Sequence, residues 1–422
     1  MNKPLLVFQA PVATRSGYGD HSRDILKSLF ELDRYDIKIV PTRWGNTPQD
    51  QINPQTEFGK RILENIVTKV DRQVDIFIQI SVANEFKRVG KYNIGITAGV
   101  ETTVTPQDFI QGSNQMDLII TPSEFTKDTM VKTLFTQIDK NTQQKVGELK
   151  IQKPVEVLFE GVDTNIFNGV LVDVEPSILE SVDTDFNFLF VGHWLAGDLG
   201  HDRKDVGMMI KTFCTVFKNL PKGKQPGLIL KTSSAGFSVG EREGISKKIK
   251  QLTKEYGDKC PPIHLVWGDL TESELNTLYN DNKVKAMISF TKGEGYGRPL
   301  AEFATTGKPI IVSHWSGFKD FLPKENTVYL EGELGEVHES SQNKFLLKES
   351  KWFNVDYTKA AQKILDVHRN YNVYLKQSEG LKSNIINNFS LSKMTIKLGE
   401  ILDKYVKIQQ HIELKLPEIK KL

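Results

Sequence analysis

The sequence predicts an α/β fold of two doubly wound, Rossmann-like domains, on three observations. Short apolar runs at 5–8, 35–40, 74–80 and 92–97, and again from 186 onward, alternate with helical stretches, the pattern of parallel βα units. The 422 residues, 39% hydrophobic and 26% charged, make an ordinary globular chain long enough for about two or three domains. A polar, acidic stretch without period at 169–185 reads as a linker, giving a first domain at 1–168 and a second at 186–394.

In the first domain, residues 5–8 form a buried strand that leads to Gly17 and Gly19, after which Ile25, Leu26, Leu29 and Phe30 share one face of a helix. A Gly-x-Gly between strand and helix is either a tight turn or a backbone cradle facing the cleft. Arg43 and Trp44 lie in a loop where an aromatic either covers the core or stacks on a ligand ring. The strand ending near Ala98 runs into Glu101, Thr102 and Thr103, which face the cleft because ligands gather at the carboxyl ends of strands in open α/β sheets. Glu101 reads equally as an acid that orients a hydroxyl and as one that caps a helix. Ser123 reads as an N-cap, 136–154 as a polar surface excursion, and 155–167 as the close of the domain.

In the second domain, Arg203 and Lys204 stand just before the helix carrying Met208, Met209, Phe213 and Phe217. Two cations there either form a solvated pair or offset the charge of a leaving diphosphate, which develops in the transition state. His264 alternates with apolar residues and reads as a satisfied core histidine, and Leu275, Leu278 and Tyr279 mark the apolar face of the next helix. Asp183 and Asp185 form an Asp-x-Asp before a strand rather than after one, so no metal is assigned to them. Residues 330–354 look irregular, and helical patterns fill 356–412.

The most informative stretch is 283–322: a buried strand, the loop from Thr291 to Arg298, a helix from about Pro299, and a second strand after Gly307. Gly293, Gly295 and Gly297 are expected to take positive φ and bring the backbone close to a ligand, and Pro299 suits a first helical position. The amides around Gly295, Tyr296, Gly297, Arg298 and Leu300 then form a diphosphate cradle at the positive end of the helix dipole. Glu294 and Glu302 frame it. Carboxylates repel phosphate but accept hydrogen bonds from diols, so the pair reads as two sugar-binding acids around a phosphate site, the features of a nucleotide-sugar site.

Glu294 and Glu302, with Gly-Tyr-Gly-Arg-Pro-Leu between them and Ala-Thr-Thr-Gly-Lys-Pro-Ile-Ile behind, resemble the donor motif of retaining glycosyltransferases of the glycogen-synthase type, glycosyltransferase family four. The resemblance extends to the Arg203-Lys204 step, to the Pro-Ser step at Ser123 and to Gly-Val-Asp at 161–163. It implies the GT-B arrangement, two such domains facing across a cleft, with the last helix, about 395–422, packed back on the first. It further implies transfer of a sugar from a nucleoside diphosphate to a hydroxyl acceptor with retained configuration, without a cofactor or essential metal. Glu302 would hold the ribose and Glu294 the transferred sugar, while Arg203 and Lys204 carry the diphosphate with Gly17 and Gly19 nearby. A base-binding loop would lie near 268–270, and Glu101 and Thr102 would face the acceptor. Where many members carry arginine this chain has His193, and Lys231 is the expected partial substitute. A saccharide is the default acceptor; a hydroxylated DNA base, or epimerase or hydrolase activity, are the alternatives.

A net charge of +2 calls for neither nucleic acid nor membrane, and Lys415, Lys420 and Lys421 are too few to argue for DNA. Two cysteines, Cys214 and Cys260, have no metal spacing and fit a reducing compartment. The start lacks a signal-peptide core and no run of eighteen apolar residues occurs, so a soluble, cytoplasmic protein is expected.

Overall fold

A computed structural model describes residues 3–139, 141–174, 177–234 and 238–407. The first half alternates β1 (Leu5–Ala10), α1 (Gly17–Leu32), β2 (Asp36–Pro41), α2 (Glu57–Asn65), β3 (Ile76–Ile80), β4 (Tyr92–Ile96), α3 (Gln107–Ser113), β5 (Leu118–Thr121) and α4 (Glu124–Lys132). The exposed hairpin β6 (Phe135–Ile138) and β7 (Lys145–Leu149) projects from it before β8 (Val155–Val157). The main strands make one parallel sheet in the order β2-β1-β3-β4-β5-β8.

The second half begins with β9 (Asn187–His193), α5 (Val206–Phe217), β10 (Gly227–Ser233), α6 (Val239–Thr253) and β11 (Ile263–Val266). It continues through α7 (Glu272–Asn280), β12 (Val284–Ser289), α8 (Arg298–Ala304), β13 (Ile310–Ser313) and β14 (Val328–Leu330). This sheet is also parallel, in the order β11-β10-β9-β12-β13-β14. The order reverses between β9 and β12, and at such a switch point the flanking loops diverge to opposite faces and leave a crevice at the carboxyl ends of the strands. Helices cover both faces of these sheets, so strands read as continuous apolar runs: every residue of β3, β5 and β13 is buried.

Residues 330–354 are not irregular throughout. They carry β15 (Gly332–Glu336) and β16 (Lys351–Val355), an antiparallel pair whose Gly332 and Gly335 obscure the strand signal. The chain then runs through α9 (Tyr357–Arg369), α10 (Tyr371–Asn388) and α11 (Leu391–Tyr405). α11 lies on α1 of the first half, with Thr395 Oγ1 donating to Ser28 Oγ at 2.8 Å and Arg34 Nη1 to Asp403 at 2.6 Å. The helical pattern to 412, the helix end at 422 and the three C-terminal lysines lie outside the described residues beyond 407.

His264 is not a satisfied core histidine. It is half-buried, its Nε2 has no hydrogen-bond partner among the described residues, and the nearest carboxylate, Asp183, is 4.0 Å away. Cys214 is buried with its Sγ 3.9 Å from that of Cys260, both thiols being free. No helix among the described residues is long and apolar enough to cross a membrane.

Candidate active site

The crevice at the β9/β12 switch point is lined by Val191, Lys204, Ile288, Glu294, Gly297 and Leu300. Two loops meet there. The one after β9 delivers Arg203 and Lys204; the one after β12 delivers Thr291 to Gly297, and the backbone N–H of Lys292 donating to Arg203 O at 2.8 Å joins them.

Glu294 is the hub. Lys204 Nζ donates to its Oε1, Arg203 Nη1 lies 3.2 Å from its Oε2, and Thr291 Oγ1 donates to Oε1 at 2.7 Å. Its backbone amide donates to Ser316 Oγ at 3.0 Å. Burial alone would raise its pKa, but Lys204 and Arg203 overcome that and hold it at about 2. The carboxylate is therefore ionised at neutral pH, between two cations and facing the crevice.

Glu302 lies deeper. Arg298, four residues earlier on the same helix, donates from Nε to its Oε1 at 2.8 Å, and Tyr279 OH donates to Oε2 at 3.3 Å. Burial pushes this carboxyl up to about 8 in spite of Arg298. Arg298 also reaches Asp24 of α1 at 2.5 Å and Glu272 at 3.5 Å, so its side chain ties the halves together while only its backbone remains for a cradle.

The cradle is narrower than the sequence implies. Gly297 alone of the three loop glycines takes positive φ (103°). Gly293 and Gly295 are needed for close approach to the other half: a Cβ on Gly293 would meet Glu101 O at 2.2 Å and one on Gly295 would meet Ala98 O at 2.7 Å. Ser123, the N-cap of α4, donates to Gly295 O at 2.5 Å, which fastens the glycine loop to the first half. Pro299 has no N–H, and the Leu300 amide donates to Gly297 O at 2.9 Å, leaving the amides of Gly297 and Arg298 without partners among the described residues. The Tyr296 ring packs on Phe321 with its hydroxyl buried and without a partner among the described residues. Gly293→Ala is expected to push the halves apart, lowering Tm by several degrees and kcat with it; a calorimetric melt and an activity assay check this.

Other candidates fall around this centre. Glu101 is not free, since Arg203 Nη2 lies 3.4 Å from it, and Thr102 is buried with a hydroxyl that has no partner among the described residues. Gly19 donates its amide to Ser16 Oγ, the N-cap of α1, whereas a Cβ on Gly17 would meet open space. Tyr18 between them stacks on Trp44 at 4.0 Å. His193 stands at the rim, exposed as a residue but crowded on its inner side. That burial, with Lys204, Arg203 and Lys231 nearby, holds its imidazole at about 4, so it adds no charge at neutral pH.

Lys231 donates to Gly268 O at 2.5 Å, and Arg15 reaches Asp269 at 2.7 Å and Leu270 O at 2.6 Å, so the 268–270 loop is held from both halves. Burial lowers Lys231 to about 8. It is charged below that value, so affinity for a nucleoside diphosphate is expected to fall roughly tenfold between pH 7 and 9. Affinity in Lys231→Met should fall less steeply than in wild type over the same range, the part of the fall that Lys231 causes being lost.

Sequence reasoning misses Thr291, Ser316, Tyr279 and Arg15. Ser316 is buried at φ 84°, an uncommon conformation for a non-glycine residue, and only the adjacent Gly317 hints at an unusual turn. No three His, Cys, Asp or Glu side chains among the described residues come together as a metal site.

No family model matches the sequence, and no curated protein sequence matches it. Solved structures do. A glycosyltransferase from Rickettsia africae aligns over 97% of this chain and 100% of its own, with a TM-score of 0.62 at 15% identity. A sucrose-phosphate synthase from Thermosynechococcus elongatus aligns over 96% and 99%, TM-score 0.59 at 12% identity. Anabaena HepE, solved in complex with UDP and glucose, aligns over 95% and 100%, TM-score 0.55 at 10% identity. At such identities the likeness is one of fold, and the fold is the GT-B arrangement.

Proposed function

We propose that this chain is a retaining glycosyltransferase that moves a sugar from a nucleoside diphosphate to a hydroxyl acceptor, a saccharide by default. The observation that carries this reading is Glu294 held ionised between Arg203 and Lys204 at the β9/β12 switch point. A carboxylate and two cations a few ångströms apart suit a reaction in which positive charge grows on a sugar carbon while negative charge grows on the departing diphosphate. The neighbour solved with UDP and glucose, Anabaena HepE, supports the donor class.

In this scheme the anomeric C–O bond to the phosphate breaks, and Arg203 and Lys204, held in place beside Glu294, share their charge with the leaving oxygens. Glu294 then steadies the oxocarbenium-like sugar and binds its hydroxyls. The acceptor oxygen attacks on the face the diphosphate leaves, and its proton passes to a phosphate oxygen. Glu302 reads the ribose, the Gly297 and Arg298 amides face the phosphates, and Lys231 stands by the 268–270 loop. The two cations supply the charge that a resident metal would otherwise provide. The halves are taken as domains at 1–168 and 186–394, and free thiols fit a cytoplasmic setting.

The test is a product assay in which sugar nucleotides are incubated with oligosaccharides or with hydroxymethylated duplex DNA and followed by NMR. Transfer to a saccharide with the donor's anomeric configuration supports the reading. Transfer only to DNA moves the acceptor class, inversion overturns retention, and free sugar or epimer regardless of acceptor overturns transfer.

A further inference from the structure

Directly behind Lys204 and Glu294 lies a pair of charges that the proposed chemistry does not use. Asp205 and Lys292 are 0% and 1% exposed in their side chains, with Lys292 Nζ 3.3 Å from Asp205 Oδ2. Asp205 Oδ2 also accepts from Tyr357 OH at 2.7 Å, and Lys292 Nζ donates to Asn354 Oδ1 at 2.8 Å. The second oxygen of Asp205 has no partner among the described residues. Asp205 adopts a left-handed conformation, φ 52° and ψ 36°, at the N-cap of α5 without a side-chain cap bond.

A buried ion pair is weak support for stability, because desolvation of both charges offsets their attraction. A left-handed non-glycine residue adds strain, and helix capping does not account for the carboxylate, since it makes no cap bond. What the pair does achieve is placement. Asp205 follows Lys204 directly, and Lys292 precedes Glu294 by two residues. The Lys292 backbone donates to Arg203 O and accepts from Phe353 N at 3.0 Å, so one lysine spans the cation loop, the acid loop and β16.

We infer that Asp205 and Lys292 are a positioning pair: their ion pair, held by Tyr357 and Asn354, fixes the distance and angle at which Lys204 and Arg203 face Glu294. The inference rests on the transferase reading above. A misplacement of about 1 Å at reacting groups lowers rates by about a hundredfold. The pair therefore acts on kcat through residues it does not replace.

The experiment compares wild type, Asp205→Asn, Lys292→Met, the double variant and Tyr357→Phe, measuring Tm, nucleoside diphosphate Kd, and kcat and KM for transfer. Each single change at the pair leaves one buried charge unmatched and is expected to lower both Tm and kcat. The double variant has no unmatched charge, so its Tm should recover while kcat stays about a hundredfold down. Tyr357→Phe removes one hydroxyl from the carboxylate and should lower kcat several-fold with Tm and Kd nearly unchanged. Recovery of kcat together with Tm in the double variant, or full kcat in Tyr357→Phe, overturns the inference while leaving the transferase reading intact. A wild-type protein that binds no nucleoside diphosphate and transfers no sugar overturns both.

Discussion

Glu294→Gln is expected to lower kcat about a hundredfold, the scale of removing one preorganised electrostatic contact to a transition state, while affinity for the nucleoside diphosphate is unchanged or improved. Glutamine keeps the size of the side chain and can still bond Thr291 and a sugar hydroxyl, so ground-state binding survives. What disappears is the negative charge opposite the developing positive sugar. Lys204 then loses its acid and Arg203 keeps only Glu101, so both cations meet the diphosphate with less competition, which favours the anion. Steady-state kinetics with a parallel calorimetric titration separate the two effects. The linkage has a definite sign: this carboxylate stays ionised until pH falls through about 2, so its stabilising contribution is present above the ordinary carboxylate value and Glu294 sets no acid limit on activity near neutrality. Wild-type kcat in the variant removes Glu294 from the mechanism.

Glu302→Ala is expected to weaken donor binding roughly 10-fold, the equivalent of about 1.4 kcal/mol, because a carboxyl held at about 8 is neutral near pH 7 and makes ordinary rather than charge-assisted hydrogen bonds. The loss should be specific to the ribose: nucleotides lacking the ribose hydroxyls bind wild type and variant alike if Glu302 reads that diol, and differ if the substitution has only loosened the fold. Glu302 also carries a pH signature. Its folded value of about 8 lies above the unfolded one, so its contribution to stability is present at low pH and lost as pH rises through about 8. Between about pH 5 and 8 the Tm of Glu302→Gln should therefore fall less steeply than that of the wild type.

Which parts of this were legible in the chain follows from the range of the forces involved. Strands such as β3, β5 and β13 announce themselves because burial on both faces demands a largely apolar run, and Gly297 because only a glycine rests easily at φ 103°. Ser123 as a helix cap and the spacing of Glu294 and Glu302 are local too. Gly293 and Gly295 are glycines for a reason no local pattern contains, the backbone of Glu101 and Ala98 in the other half. The same holds for charge partners. Arg298 and Glu302 show an i,i+4 spacing that a reader can find, but Arg298 and Asp24 are 274 positions apart, and nothing near Glu101 points to Arg203. Lys292 illustrates the limit most sharply, because a lysine in a glycine-rich loop reads as solvated until Asp205 and Asn354 are seen to enclose it.

The crevice between β9 and β12 is proposed as a nucleoside diphosphate site whose cations are Arg203 and Lys204. Its most direct test is a calorimetric titration of UDP, GDP and ADP, with EDTA present, into wild type and into the variant carrying Arg203→Ala and Lys204→Ala. The predicted result is saturable binding of one nucleotide to the wild type, with a stability gain that follows mass action, and loss of at least tenfold in affinity in the variant with its fold retained. Equal affinity in both proteins, or no binding of any nucleotide by a well-folded wild type, would contradict it.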